Sequence, residues 1–121
     1  AYIDTIAAGW EADPAPLLAY HRFLLAEPGP HRCFLALRDG QPAGAANHVT
    51  FARSAYFMGA VVLPAHRGRG VYRALLAARL RRVAAEGLPL VTTHARASTS
   101  APILARLGFQ TVLDLAMYFN R

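Results

Sequence analysis

Residues 55–76 read Ala-Tyr-Phe-Met-Gly-Ala-Val-Val-Leu-Pro-Ala-His-Arg-Gly-Arg-Gly-Val-Tyr-Arg-Ala-Leu-Leu, and the change of period inside them decides the fold. Ala55–Leu63 is a nearly unbroken apolar run, of the length expected for a central strand covered on both faces. Pro64 closes it. His66-Arg67-Gly68-Arg69-Gly70 then forms a turn, and a helix is expected from about Gly68 to Glu86, with Tyr72, Leu76, Leu80 and Val83 as its apolar stripe. Gly87 supplies the C-terminal stop.

A strand, a glycine turn and a helix together make an anion trap: first-turn amides lack intrahelical partners and the helix dipole favours negative charge there. Gly68 and Gly70 let a ligand reach the backbone. Arg67, Arg69 and Arg73 sit at the same end, where cations oppose the dipole unless an anion lies between them. The plainer alternative is a tight turn with solvated arginines. A P-loop is excluded because no Gly-Lys-Ser/Thr follows, and the glycines are not spaced Gly-x-Gly-x-x-Gly.

Upstream, Asp13 is placed as an N-cap, with Pro14 and Pro16 in the first turn of a helix running to about Glu27. Glu27-Pro28-Gly29-Pro30 breaks it. His31–Leu37 reads as a strand, Asp39-Gly40 as a hairpin turn and Gln41–Phe51 as the returning strand. Downstream, Leu88–Ala95 reads as a second central strand, and Ser98–Leu107 as a short helix capped by Ser98 or Ser100 and ended by Gly108. Phe109–Val112 and Leu115–Asn120 are expected to pair as an antiparallel edge.

The 121 residues suit one domain, 1–121, and their 55% hydrophobic and 17% charged content places them among folded globular chains. The sequence holds neither a run of eighteen apolar residues nor the basic-then-apolar pattern of a signal peptide, so membrane insertion and secretion are not supported. A cytoplasmic protein is the expectation. Cys33, the single cysteine, forms no intrachain disulfide. The five histidines show no pair at metal-ligand spacing, so no metal site is expected. The net charge of +6 rests on arginine alone, since lysine is absent, and attracts anions without choosing among nucleic acid, acidic lipid and a polyphosphate.

The order of strand, Pro64 and Arg67-Gly68-Arg69-Gly70-Val71-Tyr72-Arg73 resembles the signature of the GNAT acetyltransferase superfamily, Gln/Arg-x-x-Gly-x-Gly/Ala, matched at Arg67 and Gly70. Ser100-Ala101-Pro102-Ile103-Leu104-Ala105-Arg106-Leu107-Gly108-Phe109 resembles the family's second conserved segment. Together they span roughly residues 31–121. The resemblance implies an α/β (α+β) fold: a mixed, mostly antiparallel sheet whose two central strands splay apart, flanked by helices. It implies acetyl-coenzyme A as acetyl donor and a primary amine, of a small molecule or a protein, as the direct attacker.

In that scheme Ala60, Val61 and Val62 face the pantetheine arm, and the pyrophosphate lies on the amides of Gly68, Arg69, Gly70, Val71, Tyr72 and Arg73, with Arg67 beside them. Three positions depart from the family pattern. Tyr72 stands for Gly or Ala, Ala97 for a frequent Asn, and Leu104 for a frequent Tyr that protonates the leaving thiolate. The family's first strand has no counterpart before the first helix, and a partner, a homodimer included, would cover the edge thus left open.

Histidine titrates near neutrality, which makes His94, at the end of the second central strand, and His48, on the strand before the first, the candidate bases. Each reads more readily as a structural histidine, and Glu11 and Tyr118 have no spacing that argues for them. Trp10 reads as core packing, with an acceptor-pocket wall as the alternative. Two further functions compete with catalysis. One is a noncatalytic acyl-coenzyme A-binding module. The other, disfavoured because no aromatic stacking motif accompanies the arginines, is a nucleic-acid binder using Arg67, Arg69, Arg73, Arg79, Arg81 and Arg82.

Overall fold

The computed structural model describes residues 2–11, 13–25, 29–114 and 116. Two helices, α1 (Tyr2–Trp10) and α2 (Pro14–Leu25), precede three strands, β1 (His31–Arg38), β2 (Gln41–Thr50) and β3 (Ser54–Val62). A single 3-10 turn, Pro64–His66, leads to α3 (Val71–Ala85), followed by β4 (Leu90–Thr93) and α4 (Ser100–Arg106). The strands form one sheet in the order β1-β2-β3-β4. The first three are antiparallel and β4 joins β3 in parallel, the mixed, mostly antiparallel sheet expected from the sequence.

Local chemistry explains most of the boundaries. Asp13 accepts the Ala15 amide through Oδ1 at 3.0 Å, the N-cap that starts α2. Asp39 and Gly40 both have positive φ, 53° and 76°, as a two-residue hairpin turn requires. Helix α3 starts at Val71 rather than Gly68, because Gly68 (φ 72°) and Gly70 (φ 78°) are left-handed and hold the chain out of the helix until Gly70 caps it.

Several boundaries differ from expectation. Helix α1 was not foreseen, since its short Ala-rich stretch carries no start signal of its own. The second central strand shortens from Leu88–Ala95 to Leu90–Thr93. Helix α4 begins at Ser100 after Thr99, with no side-chain cap from Ser98 or Ser100. Phe109–Val112 is not a strand, and Val112 is almost fully exposed, so no pairing partner or apolar cover holds it extended. Of Leu115–Asn120 only Ala116 is described, outside any strand, and Tyr118 and Glu27 lie outside the described residues.

The sheet is covered on both faces. Helix α1 lays Ile6 on Ala45 and Val61. On the other face α3 packs Val71 and Leu75 on Ala43 and Ala46, and Leu76 and Val83 on Ala55, Phe57 and Leu104. Gly44 permits that approach, for a Cβ there would stand 2.6 Å from the Val61 carbonyl oxygen and 2.9 Å from Val71 Cγ1. The buried face of α3 is therefore Val71, Leu75, Leu76, Arg79 and Val83 rather than the expected stripe, and Leu80 is exposed. At the far end of α3, Glu86 takes Arg32 of β1 through two oxygens, at 3.0 and 3.1 Å, and Arg82 at 2.6 Å. The Arg32 hydrogen bonds first, and then Arg82, hold its carboxyl below the usual range.

His48 sits in this core with no exposed surface, its ring 5.2 Å from Phe57 and 5.4 Å from Phe34. Neither ring nitrogen has a partner among the described residues. Burial, reinforced by the Arg79 charge, lowers its pKa from 6.5 to about 4. The unfolded chain thus takes up this proton first, so His48 contributes stability above about pH 6.5 that is lost as pH falls towards 4. Thermal melts across that window should show a decline of up to roughly 3 kcal/mol from this residue, and His48→Phe should flatten it. Parallel declines in the two proteins would assign the acid sensitivity to another group.

Candidate functional site

The pairing of β3 with β4 runs from Ser54↔Leu90 to Phe57↔Thr93 and stops there, while β3 continues to Val62. At the stopping point Thr93 turns its hydroxyl back to donate to the Phe57 carbonyl at 3.0 Å. The two central strands therefore part as the resemblance implies, and the edge of β3 beyond Phe57 has no neighbouring strand on that side among the described residues. A groove of about 940 Å³ opens along it, at the upper end of ordinary ligand-site volumes.

A bulge shapes the floor. Asn47 lies opposite Gly59 and His48 opposite Phe57, so Met58 is the extra residue on β3. Asn47 spans the irregularity: its Oδ1 accepts the Gly59 amide at 2.8 Å, and its Nδ2 meets Nε2 of buried His31 at 3.3 Å. Past the bulge the Leu63 amide donates to the Ala43 carbonyl, towards β2. Because backbone groups alternate along a strand, Ala60 and Val62 present theirs to the open edge. Arg67 Nε already donates to the Val62 carbonyl at 3.3 Å.

At one end of the groove lies the start of α3. The amides of residues 68–73 have no partner among the described residues, the first helical bond being Ala74 to Gly70, and no acidic residue lies in the first turn. A Cβ on Gly68 or Gly70 would meet nothing within 4 Å, so the left-handed backbone, not crowding, calls for glycine. Of the residues expected at a cofactor, Ala60, Val61, Val62, Arg67, Gly68, Gly70, Val71, Tyr72 and Arg73 line the groove and Arg69 does not. Tyr72 is half-buried, and that burial raises its pKa.

His94 lines the groove just past β4, exposed, with Nδ1 3.0 Å from the Tyr56 hydroxyl. His48 does not line it. Trp10, read from the sequence as core, is half exposed and lies across Gly59 as a groove wall, so that reading is corrected. Among the described residues no group of His, Cys, Asp or Glu is arranged to hold a metal, and no helix is long and apolar enough to cross a membrane.

Sequence reasoning missed Arg79, which the structure separates from the exposed Arg81 and Arg82. Arg79 lines the groove, is only 3% exposed, and stands 4.3 Å over the Phe57 ring. Its Nη1 reaches the Asn47 carbonyl at 3.4 Å, and its Nε, itself closed off from solvent, has no partner among the described residues. Burial lowers its pKa to about 10, which leaves it a cation at neutral pH. The available signal was position: Arg79 falls between Leu75, Leu76 and Val83 on the buried face. No carboxylate appears among the described groove residues, against five arginines.

Comparison with known proteins agrees with this geometry. The chain is 36% identical over 114 residues to a mycothiol acetyltransferase of Nocardia farcinica, covering 93% of this chain and 37% of that protein, so it spans little more than a third of that relative's length. The aminoglycoside N-acetyltransferase AAC(6')-Iy, solved with the bisubstrate analogue CoA-S-monomethyl-acetylneamine, superposes with a TM-score of 0.81 at 23% identity, over 99% of this chain and 89% of that one. An aminoglycoside 6'-N-acetyltransferase from Acinetobacter haemolyticus gives 0.78 at 21%, over 99% and 90%. These likenesses establish the fold. The Acetyltransferase (GNAT) family model matches residues 3–109, and with the glycine-arginine turn and the parted strands already in place, the chain belongs to the GNAT acetyltransferase family.

Proposed function

We propose that this chain binds acetyl-coenzyme A in the groove and transfers the acetyl group to a primary amine by direct attack. The observation that carries the reading is the run of unpartnered amides at residues 68–73, placed at the end of an unpaired strand edge. A pyrophosphate on those amides satisfies the orphan donors and neutralises Arg67 and Arg73, which otherwise oppose the α3 dipole. Ala60 and Val62 offer the next hydrogen bonds along the groove, to the amides of a pantetheine arm. The thioester then lies near the parting of β3 and β4.

There the amine attacks the carbonyl carbon, the new C–N bond forms, the C–S bond breaks, and the amine gives up a proton. His94 is the base we assign: it lines the groove, and its bond to Tyr56 orients the ring. His48, buried between aromatic rings, is not in reach. The relatives carry the names of small molecules, mycothiol and aminoglycosides, which favours a small-molecule amine over a protein amine. A noncatalytic acyl-coenzyme A module remains the second reading, favoured by Leu104, a buried groove residue with no proton to give. Nucleic-acid binding loses Arg79 from its proposed surface.

Two predictions test this. Asp and Asn both tolerate a left-handed backbone, so Gly70→Asp and Gly70→Asn should melt alike. The carboxylate should nevertheless weaken acetyl-coenzyme A binding by about tenfold or more relative to the amide, about 1.4 kcal/mol. Equal affinities in calorimetry would remove the pyrophosphate from this turn. His94→Ala should leave that affinity unchanged and, in initial rates with a panel of primary amines, remove the acidic limb of the pH profile. A variant that keeps the limb places the base elsewhere, and binding without turnover on any amine supports the module.

A further inference from the structure

Arg79 is the buried cation of the groove, and no acidic side chain among the described residues neutralises it. Removing a guanidinium from water without an opposing charge is unfavourable unless hydrogen bonds or an anion compensate. Here the compensation from protein is one long bond to the Asn47 carbonyl and the face of Phe57. The charged and titratable groups that interact with it are Tyr72 on its own helix, Tyr2 on α1 and His48 on β2, none of them a carboxylate. Its Nε is left over, and the residue lines the groove.

The position along the helix matters as much as the charge. Nine residues separate Gly70 from Arg79, a rise of roughly 13 Å, on the order of the span between the pyrophosphate and the sulfur of coenzyme A. Arg79 also stands over Phe57, the last residue of β3 paired with β4. The cation therefore lies where the strands part, at the level of the thioester. When the C–S bond breaks, its electron pair stays on sulfur and a thiolate forms. Of the nearby hydroxyls, that of Thr93 is given to the Phe57 carbonyl and that of Tyr56 meets His94 Nδ1, which leaves Tyr72, whose phenol holds its proton more tightly for being buried. Leu104 offers none.

Building on the function proposed above, we propose that Arg79 is a catalytic residue that stabilises the departing thiolate, its guanidinium facing the negative sulfur across the groove as the amine takes the acetyl carbon. The amine proton leaves through His94 to solvent or to that sulfur, so the products are the acetamide and coenzyme A thiol. Charge and hydrogen bonding at Arg79 here do what a protonating hydroxyl does elsewhere, without the arginine giving up its own proton.

The test needs no acceptor amine. Calorimetric titrations with coenzyme A and with desulfo-coenzyme A at about pH 7 and about pH 9 separate the sulfur from the rest of the ligand. A bound thiol whose pKa falls by about one unit from about 8.5 makes coenzyme A gain about sixfold over the desulfo compound as pH rises. That gain is expected in the unaltered protein and in His94→Ala, absent in Arg79→Met and partly restored in Arg79→Lys. The ultraviolet absorbance of the thiolate reads the same shift directly. Binding of both ligands with no relative gain, or a gain that survives in Arg79→Met, overturns the role of Arg79 and leaves the acetyl-coenzyme A site standing. Should Arg79→Met not fold, the uncharged Arg79→Gln takes its place, and a gain there equal to that of the unaltered protein overturns the role as well. Binding of neither ligand to the unaltered protein overturns both.

Discussion

Everything in the groove depends on one loss of hydrogen bonding: on the side away from β2, β3 has β4 as a neighbour as far as Phe57 and no neighbour among the described residues beyond it. A strand edge left open inside a sheet is ordinarily a liability, because its amides and carbonyls seek another strand. Three features fix it in that state here. The Thr93 hydroxyl closes the last rung on the Phe57 carbonyl, the Met58 bulge turns β3, and Asn47 holds the turned segment by its side chain. The edge is thus held open by bonds made elsewhere, and a ligand meets backbone groups already in position.

The same arrangement accounts for the chain's uneven electrostatics. At the C-terminal end of α3, Glu86 is matched to Arg32 and Arg82, each at hydrogen-bond distance. At its N-terminal end the signs are inverted, with Arg67 and Arg73 beside the positive pole and no acidic residue in the first turn. Both ends belong to one helix under one packing regime, so the contrast is not a general feature of its surface. Unfavourable electrostatics collect where the amides are free, as in a site whose remaining partner arrives with the ligand.

How far the sequence could be read follows from where each signal is local. The Arg67–Gly70 turn was legible because left-handed backbone and anion binding both call for glycine at short range, and the hairpin at Asp39-Gly40 for the same reason. The start of α3 was misplaced by three residues since the same glycines that mark the turn also delay the helix. Helix α1 lacked a capping signal and is held by Ile6 against Ala45 and Val61, contacts between residues far apart in the chain. The end of the sheet failed differently. Phe109–Val112 has strand-forming residues and no partner among the described residues, and propensity without a neighbour does not make a strand.

Arg79 shows what single-residue reading misses most. Grouped by charge with Arg81 and Arg82, it looks like part of a basic surface; placed by period with Leu75, Leu76 and Val83, it belongs to the interior. The two descriptions conflict, and packing decides between them, because α3 has one face against the sheet and Arg79 is on it. A methionine of similar reach would fill that space without the desolvation of a charge. The guanidinium therefore costs stability that the core does not recover, its one protein bond being 3.4 Å long. Packing explains how the cation is held but not why a cation stands there, and the one feature that sets this position apart from Leu75 and Val83 on the same face is that it lines the groove.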